Sequence, residues 1–183
     1  MDIYTVTNND FLEQLKPKNG PVGVETFDSY KERVSQLLPR WPDCPLEQWL
    51  YRHSSLAVCD YGWLEFQNMI FTRTTWIKEK IYSDINTHKM ERVVDDLGAN
   101  ITETSPDMRS WLQEYMLNNY TWPVPIILLN NPDELVNPQG DRLGQPYHLL
   151  EGHLRLGYFR HLYRRDISTL LDQHDVWIVR LEE

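Results

Sequence analysis

An α/β fold, a small mixed sheet flanked by helices, is what the sequence predicts, and three observations predict it. Ile126-Ile127-Leu128-Leu129 is a short continuous apolar run entered through Pro123-Val124-Pro125, the pattern of a buried strand. Tyr147-His148-Leu149-Leu150 and Val176-Trp177-Ile178-Val179-Arg180-Leu181 are two further strand-like runs. Stretches with apolar residues at helical spacing alternate with these runs.

Taken in order, Met1–Val6 reads as a short edge strand. Asn8–Asp10 supplies cap chemistry for a helix carrying Phe11, Leu12 and Leu15, which Pro17 and Gly20-Pro21 end. Phe27, Tyr30, Val34, Leu37 and Leu38 place an amphipathic helix over Thr26–Leu38. Pro45 suits the first turn of a helix running through Leu46, Trp49 and Leu50 to about His53. Gly62–Trp76 turns aromatic and β-branched, so one or two strands are expected, with a turn near Gln67-Asn68. Trp76–Ile81 fits a strand end or a short helix. Asn86–Leu97 reads as a helix stopped by Gly98.

Ser105-Pro106-Asp107 has the form of a helix start, with Met108, Trp111, Leu112, Tyr115 and Met116 on one face, a stripe expected in the core. Asn130–Gln145 is a polar loop, of a length usually functional or mobile. Tyr147–Leu150 is the next strand, followed by a helix to about Arg165, a helical turn over Ser168–Gln173, and the strand Val176–Leu181. Residues 104–183 form the sheet unit, and 1–103 form a mostly helical extension, either separate or integral to one domain.

At 183 residues, with 41% hydrophobic and 12% aromatic residues, the chain is large enough to bury a core. The net charge of −9 argues against broad attraction to nucleic acid, which needs clustered Lys and Arg. Cys44 and Cys59 lack metal or redox spacing, so a reduced, cytoplasmic chain is expected. No apolar run is long enough to span a membrane, and no secretory signal is visible.

The stretch from Tyr147 to Arg160 draws attention for function. A strand meets Gly152 and a helix begins at once, so unpaired N–H groups and positive helix-end charge lie beside a backbone that a ligand can approach. With Arg155 one turn in, two readings stand: an anion or phosphate cradle, or a strand-to-helix connection with Arg155 solvated or salt-bridged.

The order Pro125-Ile126-Ile127, loop, Gly152-His153-Leu154-Arg155, helix, Trp177-Ile178-Val179-Arg180 resembles the ParB/sulfiredoxin-like domain over about residues 104–181. That resemblance implies a nucleotide whose phosphates are held by Gly152, His153 and Arg155, with Glu151 orienting Arg155 or a ligand hydroxyl. Leu154 stands where an Arg or His is often found, which removes one phosphate ligand. His153 stands where sulfiredoxin has its catalytic Cys, which excludes that sulfur chemistry. The usual first strand with its Asn/Arg motif is not evident, and no helix-turn-helix follows the closing strand, so direct DNA reading is not expected.

His153 is a phosphate contact, a general acid/base, or a helix-start His bonded to a neighbouring carbonyl. His148 shares a strand face with Leu150, which favours a structural role. Arg160, Arg164 and Arg165 read as a solvated helix face paired to acids rather than a functional basic patch. The six His form no metal motif, and no nucleophile has a partner motif. A nuclease or kinase-like activity is disfavoured by the lack of a carboxylate cluster. The rival expectation is an acidic immunity or antitoxin protein that neutralises a basic protein partner, with Trp and Tyr as anchors.

Overall fold

In the computed structural model the described residues are 10–20 and 23–182. The strand expected over residues 1–6, and the cap at Asn8, lie outside them. The chain divides into two compact units, one of residues up to Phe71 with the last few from Leu181, the other Thr72–Arg180. Residues 72–103, read from the sequence as part of an extension either separate or integral to one domain, lie in the same unit as the sheet.

The N-terminal unit pairs a two-residue ribbon, β1 (Asn19–Gly20) with β2 (Gly23–Val24), and then forms helix α1 (Phe27–Val34). Thr26, expected inside the helix, is its N-cap and accepts from the Ser29 N–H, and α1 ends at Val34, short of the expected Leu38. Helix α2 (Asp43–Pro45) continues through a π-helical stretch, Leu46–Tyr51, into α3 (Arg52–Tyr61), eight residues beyond the expected end. The aromatic richness of this half is its core. Trp41 stacks on Trp49 at 5.6 Å, both meet Phe66 edge-on, and Trp41 Nε1 donates to the Phe66 carbonyl at 2.8 Å.

The C-terminal unit is built on a five-stranded mixed sheet of order β3-β7-β5-β6-β4. Its strands are β3 (Met69–Ile77), β4 (Ile85–Asn86), β5 (Ile126–Asn130), β6 (Tyr147–Glu151) and β7 (Gln173–Leu181). The first three residues of β3 belong to the N-terminal unit. β5 runs parallel to β7 and antiparallel to β6, and β4 runs parallel to β6. The α/β expectation holds. Helices α4 (Lys78–Asp84), α5 (Glu91–Glu103), α6 (Trp111–Asn119) and α7 (His153–Arg165) complete the unit.

Alternation decides the core face. Ile126 and Leu128 of β5, Leu149 of β6, and Val176 and Ile178 of β7 pack with Ile101 of α5, Met116 of α6, and Leu156, Phe159 and Leu162 of α7. The long loop between β5 and β6 is stapled by buried Asn131, whose amide donates to the carbonyls of Leu143 and Gly144 while its oxygen accepts from the Leu135 N–H.

Local chemistry corrects two expectations. Ser105-Pro106-Asp107 opens only a 3₁₀ turn, Pro106–Met108. The helix starts at Trp111, where Ser110 and Gln113 form a reciprocal capping box. Of the expected apolar stripe, Met116 is fully buried, whereas Met108 and Trp111 are 75% and 67% exposed.

Gly98 does not stop α5, which runs on to Glu103. It is where α5 crosses α7. A Cβ on Gly98 would lie 2.3 Å from the Gly157 carbonyl oxygen, and one on Gly157 would lie 2.4 Å from that of Val94. The neighbouring groups are backbone and cannot swing away. Gly157→Ala is expected to destabilise the protein by about 1–3 kcal/mol despite the better helix propensity of Ala. Urea unfolding of the variant checks this; an unchanged midpoint would show that the helices are free to separate.

Candidate functional site

Two adjacent parallel strands each deliver the chain to the start of a helix. β6 ends at Glu151, and Gly152 alone separates it from α7. β4 pairs with β6 in the register Ile85↔Tyr147 and Asn86↔His148, and residues 87–90 then lead into α5. The first turns of two 13-residue helices thus follow the same end of neighbouring strands. Neither start has a side-chain cap bond from its N-cap residue, Met90 or Gly152.

Gly152 is needed for two reasons. Its φ is +106°, and a Cβ would lie 2.5 Å from Cγ2 of Ile126 and 3.2 Å from Nε of Arg155. The space above Gly152 is therefore filled by Ile126. Arg155 is 8% exposed. Its Nη1 donates to the Val124 carbonyl at 2.7 Å and its Nη2 to Oε1 of Glu151 at 3.1 Å. The guanidinium ties together the approach to β5, the end of β6 and the first turn of α7. Glu151 is its acceptor, which is one of the two roles expected for that residue. His153 is half-buried at the first position of α7.

The sequence reading missed what faces this turn from β4. Asn86 is not the start of a helix. It ends β4, and its Oδ1 accepts from the His88 N–H at 2.9 Å, an Asx-turn. His88 and Lys89 then take left-handed backbone, at φ +39° and +40°. Two consecutive non-glycine residues there are costly and belong to segments held by their surroundings. The signal was present in Asn86-Thr87-His88-Lys89, a polar run after apolar Ile85, but helical periodicity from Val93 on obscured it.

The His88 ring lies 6.5 Å from that of His148, centroid to centroid. His148 is buried and accepts at Nδ1 from the Gly144 N–H at 3.2 Å, so its proton sits on Nε2. Burial, with the positive charge of His88 and His153 nearby, pushes His148 down to about 4. It is neutral at pH 7. Nε2 of His88 and the Thr87 hydroxyl are both buried without a hydrogen-bond partner, and His88 Nε2 stands 4.0 Å from Oδ2 of Asp141. Lys89 pairs with Asp141, and its ammonium holds that carboxyl below its usual range.

The helix-face arginines are employed elsewhere. Arg160 donates to the Ile85 carbonyl at 2.5 Å, and Arg164 makes a two-pronged pair with Asp95 at 2.8 Å on each arm. No group of three or more metal-ligating side chains occurs among the described residues. Cys44 and Cys59 are free thiols. No helix among the described residues is long and apolar enough to cross a membrane. The arrangement brings backbone N–H groups, imidazoles and a lysine together with two carboxylates, Asp141 on Lys89 and Glu91, which accepts from the Thr87 N–H at 3.1 Å.

The buried histidines fix a pH dependence. His174, which bonds Thr121 Oγ1 at 2.7 Å, is also pushed down to about 4 by burial. Each binds its proton more readily unfolded, near the usual 6.5, than folded. Stability is therefore fully present above pH 6.5 and falls as pH drops toward 4, by about 2–3 kcal/mol for each group. Urea midpoints at pH 7 and pH 4.5 test this, and His148→Gln should flatten part of the slope. Arg155→Ala, which leaves Glu151 and the Val124 carbonyl unpaired, should cost about 3 kcal/mol at pH 7 by the same assay.

Compared with family models, with curated proteins and with solved structures, the chain gives no match, so its own geometry must support any functional reading.

Proposed function

We propose that the chain binds a phosphate-bearing small molecule, a nucleotide by class, where β4 and β6 hand over to α5 and α7. The observation that supports this most is the pairing itself. Two parallel neighbours each lead into a helix start without a side-chain cap bond, and open α/β sheets take ligands beyond the carboxyl ends of such strands. The resemblance of Gly152-His153-Leu154-Arg155 to the ParB/sulfiredoxin-like turn points the same way.

The roles differ from those the resemblance implies. Arg155 and Glu151 hold the turn, and Ile126 fills the side of Gly152 that a ligand would otherwise approach. The phosphate contacts then come from the first amides of α7 and from His153, with His88 and Lys89 facing from the α5 start. Lys89 would exchange Asp141 for the ligand. Catalysis is not part of the reading.

Leu154 gives a clean test, because it is 36% exposed on the first turn of α7. A carboxylate there suits the helix dipole by about 0.3–1 kcal/mol, so Leu154→Glu should fold as well as the parent while repelling an anion. Thermal unfolding is followed with ATP, CTP, GTP, UTP and inorganic phosphate. A binder at about 100-fold over its Kd should add about 2.7 kcal/mol of stability to the parent, and none to Leu154→Glu. No shift with any of them sinks the proposal.

A second reading, an acidic protein that docks on a basic protein, is favoured by Met108 and Trp111. Two large apolar side chains stand exposed at the start of α6 in a chain of net charge −9. Absence of any nucleotide effect transfers the assignment to it.

A further inference from the structure

The C-terminal unit contains a cleft of about 320 Å³ away from the strand ends described above. Met116 and Leu162 are among its lining residues, with Thr102, Tyr120, Arg165 and Asp166. Met116 is fully buried and Leu162 is 5% exposed, so these two lining residues are apolar and shielded from water.

The lining residues share a position in their helices. Thr102 is in the last turn of α5, Met116 is in the last turn of α6 with Tyr120 as its C-cap, and Leu162 and Arg165 are in the last turn of α7 with Asp166 as its C-cap. Three helix C-termini converge on one cleft. Each carries about half a negative elementary charge from its outward carbonyls. Asp166 adds a full one. Ser168 donates to its Oδ1 from Oγ at 2.6 Å and from N at 3.0 Å, which keeps the carboxyl ionised well below neutrality.

Tyr120 is held at the mouth. Its N–H donates to the Met116 carbonyl at 2.9 Å, and its own carbonyl accepts from the Leu171 N–H at 3.1 Å. These bonds keep it in left-handed backbone at φ +59°, a place where glycine or asparagine ordinarily ends a helix. The side chain is 48% exposed, so burial of the ring does not explain tyrosine at this position. An aromatic face beside negative helix ends is the chemistry that receives an organic cation.

We infer that this cleft binds a small organic ammonium ion with an apolar body, the body on Met116 and Leu162 and the charge among the three helix ends, Asp166 and the Tyr120 ring. The volume is at the small end of ligand pockets, which suits an arylalkyl amine rather than a nucleotide. Arg165 is the feature that opposes a cation. It is exposed, as Asp166 is, so water and salt screen both, the two side-chain charges offset one another, and the helix ends carry the preference.

The test uses the whole chain at pH 7 and three probes of one shape: phenethylammonium, 2-phenylethanol and phenylacetate. Protein NMR follows the amides of residues 102, 120 and 166. Phenethylammonium should bind at least tenfold more tightly than either of the others. Tyr120→Gly should weaken it at least tenfold while leaving the thermal midpoint equal or higher, since glycine adopts the backbone freely. Asp166→Asn, which keeps the acceptor for Ser168, should weaken it several-fold, and Arg165→Gln should strengthen it several-fold. Phenylacetate or the alcohol binding as tightly, shifts confined to other amides, or undiminished binding in Tyr120→Gly would each overturn the inference.

Discussion

The C-terminal unit depends on one backbone contact, the crossing of α5 and α7 at Gly98 and Gly157. With no side chain on either residue, a carbonyl of one helix rests against the Cα of the other. That closeness brings Ile101 and Leu156 into the same cluster as the sheet residues Ile126, Leu128 and Leu149. It also fixes the distance between the two helix starts, since each is joined to a strand of the same parallel pair by a short link. A glycine in a helix interior costs stability by propensity. Here the gain in close packing offsets that loss, so the residue that weakens the isolated helix is the one that lets it dock.

Arg155 performs a similar service for the turn. A guanidinium buried to this degree requires partners, because an unpaired charge away from water is expensive. The Val124 carbonyl and the Glu151 carboxylate supply them, one from the approach to β5 and one from the end of β6, more than twenty residues apart in the chain. Geometry and charge thus assign Arg155 to holding the loop shape.

The strands β5, β6 and β7 and the helix α7 were legible in the sequence because buried apolar runs and a glycine turn have strong local signatures. Gly98 was misread, since a glycine that ends a helix and one that packs a crossing look alike until the partner helix is known. Asn86 was misread because a two-residue strand has no period of its own, and only pairing with Tyr147 and His148 makes it one. Met108 and Trp111 were misread because apolar character says what a residue would bury, not whether anything arrives to cover it. The strand-to-helix turn at Glu151, Gly152, His153 and Arg155 was legible from its local chemistry. Thr87, His88 and Lys89 were not, because sixty residues separate them from that turn and only the sheet joins them.

Topology also divides the unit electrically. Strands β4 and β6 point the same way, so the helices that follow them must begin on the same side, and the positive ends of both dipoles are set there together. The crossing at Gly98 and Gly157 comes before the last turn of each helix, and beyond it their C-termini meet the end of α6. Amides therefore gather at one locus and carbonyls at another without any contribution from charged side chains. His88, His148 and His153 lie at the first locus and Asp166 at the second, so neither placement is one the helix dipoles themselves favour. The same two glycines that close the packing hold these two loci apart, at opposite ends of the paired helices.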